Sequence, residues 1–136
     1  MADPNQRRKD AAKRHALAEA AAQAEAAQAQ RQLDAFVAEA RARGLAAEPL
    51  QATLLNGRRV KTPLAGWYLN AARTVAVGEG AEFYNLVMAG SALARLTGVT
   101  PQPATPVLEI GRGGRDGETG SLADFLARAL EAYTHR

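Results

Sequence analysis

The sequence predicts an α+β fold: a long N-terminal helix, then a small antiparallel β-meander covered by a C-terminal helix. Three observations predict it. From residue 3 to about residue 43 the chain is dominated by Ala, Gln, Glu and Arg, all strong helix formers. Between residues 66 and 88, short runs of aromatic and β-branched residues alternate with Gly and Asn, as strands and turns do. From residue 122 onward, Leu122, Phe125, Leu126, Ala129, Leu130 and Tyr133 recur at helical spacing. The organisation that follows is an extended Ala-rich helix over residues 1–44 and a compact α+β domain over residues 45–136.

The first helix has start and stop signals. Asp3 suits the N-cap, Pro4 the first helical position, and Gln6 could close a capping box back to Asp3. Gly44 suits the left-handed residue after the helix, with Leu45 placed for the accompanying apolar contact. A helix of this length spans about 60 Å at 1.5 Å per residue. Its halves differ. Leu33, Phe36, Val37 and Ala40 form an apolar stripe that should dock on a core. From residue 18 to residue 32 the apolar positions are alanines, and a buried methyl contributes far less than a buried leucine. The first thirty residues are therefore expected to project from the domain or to pair with another helix.

The middle of the chain changes character. Asn56-Gly57 fits a tight hairpin turn, and residues 49–61 read equally as a hairpin or as a short helix. Residues 66–69 and 74–77 read as strands around a turn at residues 70–72. Residues 78–80 turn the chain into a further strand over residues 82–88. Residues 91–96 read as a helical turn or another strand. Pro101, Pro103 and Pro106 stiffen the connection to a last strand at residues 107–110. A glycine-rich loop, GRGGRDGETG, fills residues 111–120, and Ser121 caps the final helix with Asp124 three residues on.

Composition excludes several chemistries. The chain has no cysteine, which removes disulfides, thiolate metal sites and cysteine nucleophiles. The two histidines, His15 and His135, lie near the ends of the chain, away from any rigid setting for a serine nucleophile. They form no metal-ligand spacing. No catalytic residue is assigned, and neither a metal nor a cofactor is expected. No apolar run reaches the ~20 residues that cross a bilayer, and the N-terminus does not read as a secretory signal. A cytoplasmic setting without membrane contact is the expectation.

Three residue groups are candidates for contact with a partner. In the glycine-rich loop, Arg112, Arg115, Asp116 and Glu118 form either a self-ordered protein-contact loop or a clamp for a phosphate or metal. The second group is aromatic: Trp67, Tyr68, Phe83 and Tyr84. Neighbours in a strand point to opposite faces, so one ring of each pair should be buried and the other should contribute to an exposed contact patch. The third group is basic: Arg7, Arg8, Lys9, Lys13 and Arg14 on the first helix, and Arg58, Arg59 and Lys61 in the middle. It could contact nucleic-acid phosphates, although the net charge is only +3 and acids are interspersed. The leading expectation is a small non-enzymatic protein-interaction module, its first helix serving self-association or partner docking. A nucleic-acid-associated protein is the alternative, and phospholigand or metal-dependent activity at the glycine-rich loop is the third.

Overall fold

The computed structural model describes residues 3–90, 94–111 and 118–136. It has the expected α+β architecture. Helix α1 spans Pro4–Ala42, about 58 Å at 1.5 Å per residue. Asp3 caps it by accepting from the Asn5 N–H, with Pro4 in the first turn. The Gln6 amide does not close a capping box. It donates instead to Asp10 Oδ1 one turn on, at 3.0 Å. At the other end Gly44 takes φ +69°, its N–H bonds to the Arg41 carbonyl, and the Leu45 N–H bonds to the Ala40 carbonyl. This is the Schellman pattern that the glycine predicts.

After α1 come strands β1 (Glu48–Leu54), β2 (Arg59–Tyr68), β3 (Val75–Gly78), β4 (Phe83–Asn85) and β5 (Val87–Met88). Residues 49–61 are therefore a hairpin, closed by Asn56 and Gly57, whose φ is +86°. Strands β1 to β4 form the antiparallel meander. The stretch expected as one strand over residues 82–88 is divided. Its two halves, β4 and β5, lie at opposite ends of the strand order β4-β3-β2-β1-β5, and β5 pairs with β1 in parallel. One residue, Leu86, separates them. Its N–H donates to the Thr74 carbonyl and its carbonyl accepts from the Thr53 N–H, each at 2.7 Å. The sheet thus curls until its two edges meet at Leu86, which leaves fewer unpaired strand edges.

Curling gives the sheet two buried faces. Leu50, Tyr68, Ala76, Tyr84 and Leu86 pack together on the inner face, continued by Ala52, Leu54, Val60 and Ala94. On the outer face, Trp67, Leu69, Val77 and Phe83 meet α1 and the final helix, α3 (Leu122–Thr134). Phe36 of α1 packs edge-on to Trp67 at 5.9 Å between centroids. The Trp67 indole N–H donates to the Leu45 carbonyl. Where β2 crosses β3, Gly66 faces Gly78, and a Cβ on Gly66 would lie 2.1 Å from the Val77 carbonyl oxygen.

The remaining elements are short. Helix α2 is Ala94–Thr97, and the expected strand at residues 107–110 shrinks to β6 (Glu109–Ile110), paired with β7 (Gly120–Ser121). The proline-rich connection runs beside β4, where the Ala104 N–H donates to the Phe83 carbonyl. Ser121 caps α3 through the Asp124 N–H, as its position predicts. Among the described residues no helix is long and apolar enough to cross a membrane.

Candidate functional site

Two features stand out from the packed domain: the N-terminal half of α1 and an arginine-lined cleft. Helix α1 is anchored by Ala29, Leu33, Phe36, Val37 and Ala40, all buried. Gln30 and Arg41 donate to the carbonyls of Ala81 and Glu79, which ties the β3–β4 turn to the helix. The Glu25 carboxylate accepts from the Leu108 N–H. Residues 3–25 are exposed throughout, so about 30 Å of helix projects as an arm. Leu17 is 65% exposed on it. Leu17, Ala20, Ala24 and Ala27 recur at 3-4-3 spacing. At 3.6 residues per turn this seam lies roughly opposite the docked stripe.

The basic group divides between two elements. Arg7, Arg8, Lys9, Lys13 and Arg14 are exposed on the arm. Arg14 lies about 22 Å along the helix axis from Ala29, the first buried anchor. Arg58 and Lys61 are exposed on the β1–β2 hairpin. Arg59 is half-buried there, bonded to Gln51 and lying 5.9 Å from the Tyr68 ring centroid.

The aromatic group does not form a surface patch. Trp67, Tyr68, Phe83 and Tyr84 are 2%, 7%, 8% and 5% exposed. Strand alternation holds, with Trp67 and Phe83 on one face and Tyr68 and Tyr84 on the other. Both faces are covered, however: the outer by helices, the inner by the curl of the sheet itself. Burial holds the Tyr84 hydroxyl above its ordinary pKa, and the nearby Glu82 charge adds to the effect.

Of the loop group, Arg112, Arg115 and Asp116 lie outside the described residues. Glu118 is half-buried, and its Oε1 accepts from the Ala72 N–H at 3.0 Å. That bond places it on the wall of a cleft of about 650 Å³ between the β2–β3 turn and α3. Three arginines that the sequence reading did not single out line the same cleft: Arg73, Arg128 and Arg136. Each lies over an aromatic ring. Arg73 is 5.5 Å from the Tyr68 centroid, while Arg128 and Arg136 are each 4.5 Å from Phe125 and Tyr133. Such contacts attract a cation to the ring face. The signal was present in the sequence, since twice near its C-terminal end an aromatic residue stands three positions before an arginine, at 125/128 and at 133/136.

The local fold explains how these side chains are held. Asn70 organises the β2–β3 turn: its Oδ1 accepts from the N–H groups of Thr74 and Val75, and its Nδ2 donates to Thr74 Oγ1. Arg73 sits in this turn at φ +59°, a conformation uncommon for a residue with a side chain. Tyr133 closes the floor. Its hydroxyl accepts from the Tyr68 N–H at 2.8 Å and donates to Glu48 Oε2 at 2.6 Å. The same carboxylate oxygen accepts from Arg136. Burial, and then this bond to Glu48, push the Tyr133 hydroxyl well above the ordinary tyrosine range. Among the described residues, neither Arg73 nor Arg128 has a carboxylate partner. The Arg128 Nε–H reaches the Asp124 carbonyl at 3.4 Å. Comparison with protein-family models, curated proteins and solved structures gave no match.

Proposed function

We propose that the protein is a small non-enzymatic interaction module whose N-terminal arm pairs with another helix, in the first place that of a second copy of the chain. The observation that carries this reading is the projection of residues 3–25, exposed along a helix that is firmly anchored further on. Helix pairs are built on seams of 3-4 spacing, and the seam of Leu17, Ala20, Ala24 and Ala27 has that period. Its small side chains favour a short interaxial distance, because separation depends on the residues at the contact. A seam opposite the docked stripe leaves room for a second helix without displacing the domain.

Sedimentation of the full chain over a wide concentration range tests the reading. The expected result is a mass that rises toward a dimer, and its loss in the double variant Ala20→Glu, Ala24→Glu with the thermal midpoint unchanged. A monomer at every concentration removes the second copy as the occupant and leaves docking on a different protein. If the variant then retains the same co-purifying proteins as the wild-type chain, the arm has no such role. The exposed basic end of the arm supports a second reading, contact with nucleic-acid phosphates. Duplex of arbitrary sequence added in the same runs should then co-sediment in a salt-sensitive manner. Absence of binding at about 50 mM salt excludes it.

A further inference from the structure

The arginine-lined cleft calls for an occupant independent of the arm. We propose that it binds a small phosphate-bearing molecule with an apolar body. Its volume of about 650 Å³ lies within the range of small-molecule sites, roughly 300–1,000 Å³. Leu69 and Ala129 give it an apolar wall, and Arg73, Arg128 and Arg136 give it cationic groups. Each guanidinium lies 4.5–5.5 Å from the ring centroid of Tyr68, Phe125 or Tyr133, and this attraction to the ring face favours one placement of its N–H groups.

Charge selects the head group. Arg136 is already matched by Glu48, whereas Arg73 and Arg128 have no carboxylate among the described residues. A phosphomonoester carries close to two negative charges at neutral pH and three acceptor oxygens, so it offers acceptors to more than one of the arginines that line the cleft. Glu118 opposes it from the wall, but its position is set by the bond it accepts from the Ala72 N–H. Arg73 supplies a separate argument. The turn needs a left-handed residue at that position, where glycine is favoured, yet an arginine holds it. The backbone cost is borne by a side chain that reaches the cleft, and sparsely populated conformations of this kind concentrate at ligand sites.

Titration of the ¹⁵N-labelled full chain with phenyl phosphate, inorganic phosphate and phenylacetate at low salt tests the proposal. Saturable shifts are expected at the amides of residues 69–73, strongest for phenyl phosphate, weaker for inorganic phosphate and weakest for phenylacetate. Arg73→Gly should weaken phenyl phosphate by about tenfold or more while the thermal midpoint holds or rises, because glycine adopts the turn without strain. Arg128→Ala, on an exposed helix position, should weaken it similarly. Glu118→Gln keeps an acceptor for the Ala72 N–H and removes the opposing charge, so it should tighten binding. Absence of saturable shifts with phenyl phosphate, or an affinity unaffected by both arginine variants, overturns the site. Tighter binding of phenylacetate than of phenyl phosphate overturns the phosphate assignment.

Discussion

Tyr133 shows how one side chain joins three elements. Its hydroxyl takes the Tyr68 N–H of β2 and gives its proton to Glu48 of β1, from a position near the end of α3. Tyr133→Phe keeps the ring and leaves that backbone donor unpaired, a loss of about 1–3 kcal/mol. Chemical denaturation of the variant at neutral pH checks it. The alkaline response follows from linkage. The folded-state pKa of Tyr133 is raised, so the folded chain holds its proton where the unfolded chain has released it. The contribution to stability is complete below the unfolded value near 10 and declines as pH rises through the folded value. Tyr84 acts in the same direction. Wild-type stability should therefore fall above pH about 10, and Tyr133→Phe should show a shallower decline. Equal slopes for the two proteins would contradict the assignment. The sequence displayed Tyr133 as one more apolar position on α3. Nothing local announces that its hydroxyl meets Glu48, 85 positions earlier.

At the scale of elements, α1 is one helix under two regimes. Between Ala29 and Ala40 tertiary packing supports it, while residues 4–24 depend on intrinsic propensity and capping. Without packing to hold it, such a segment frays from its free end. Hydrogen exchange of a dilute sample should show weak protection over residues 5–24 and strong protection over residues 30–40, with arm protection increasing as concentration rises. Uniform protection of the whole helix in dilute monomer would mean that the arm is packed against something within its own chain. This element was legible in the sequence, because the change from Leu, Phe and Val to Ala alone marks where docking ends. Strands β4 and β5 were not. Residues 82–88 have the composition of one strand, and the break at Leu86 arises from pairing with two different partners. The burial of all four aromatic rings was hidden for a related reason. Alternation reveals that Trp67 and Tyr68 face opposite ways, but not that both sides are covered.

For the whole molecule, closure of the sheet at Leu86 is the organising event. It joins β4 to β5, brings the sheet edges together and seals the inner core. Leu86→Ala should cost about 2–5 kcal/mol, as for other large-to-small changes at buried positions. It should also speed amide exchange at Thr53 and Leu86 together. A loss below 1 kcal/mol would show that the closure is not held by this side chain. By itself the sequence determined the limits of α1, the capped start of α3, the α+β class and the point on α1 where bulky side chains give way to alanine. All of these follow from local conformational preference and from the size of side chains along one helix face. Only the tertiary structure decided which faces are covered, that the meander curls on itself, and that arginines from β2–β3 and α3 converge on one cleft. Those outcomes depend on contacts between residues tens of positions apart, and no local pattern in the chain encodes the distance between them.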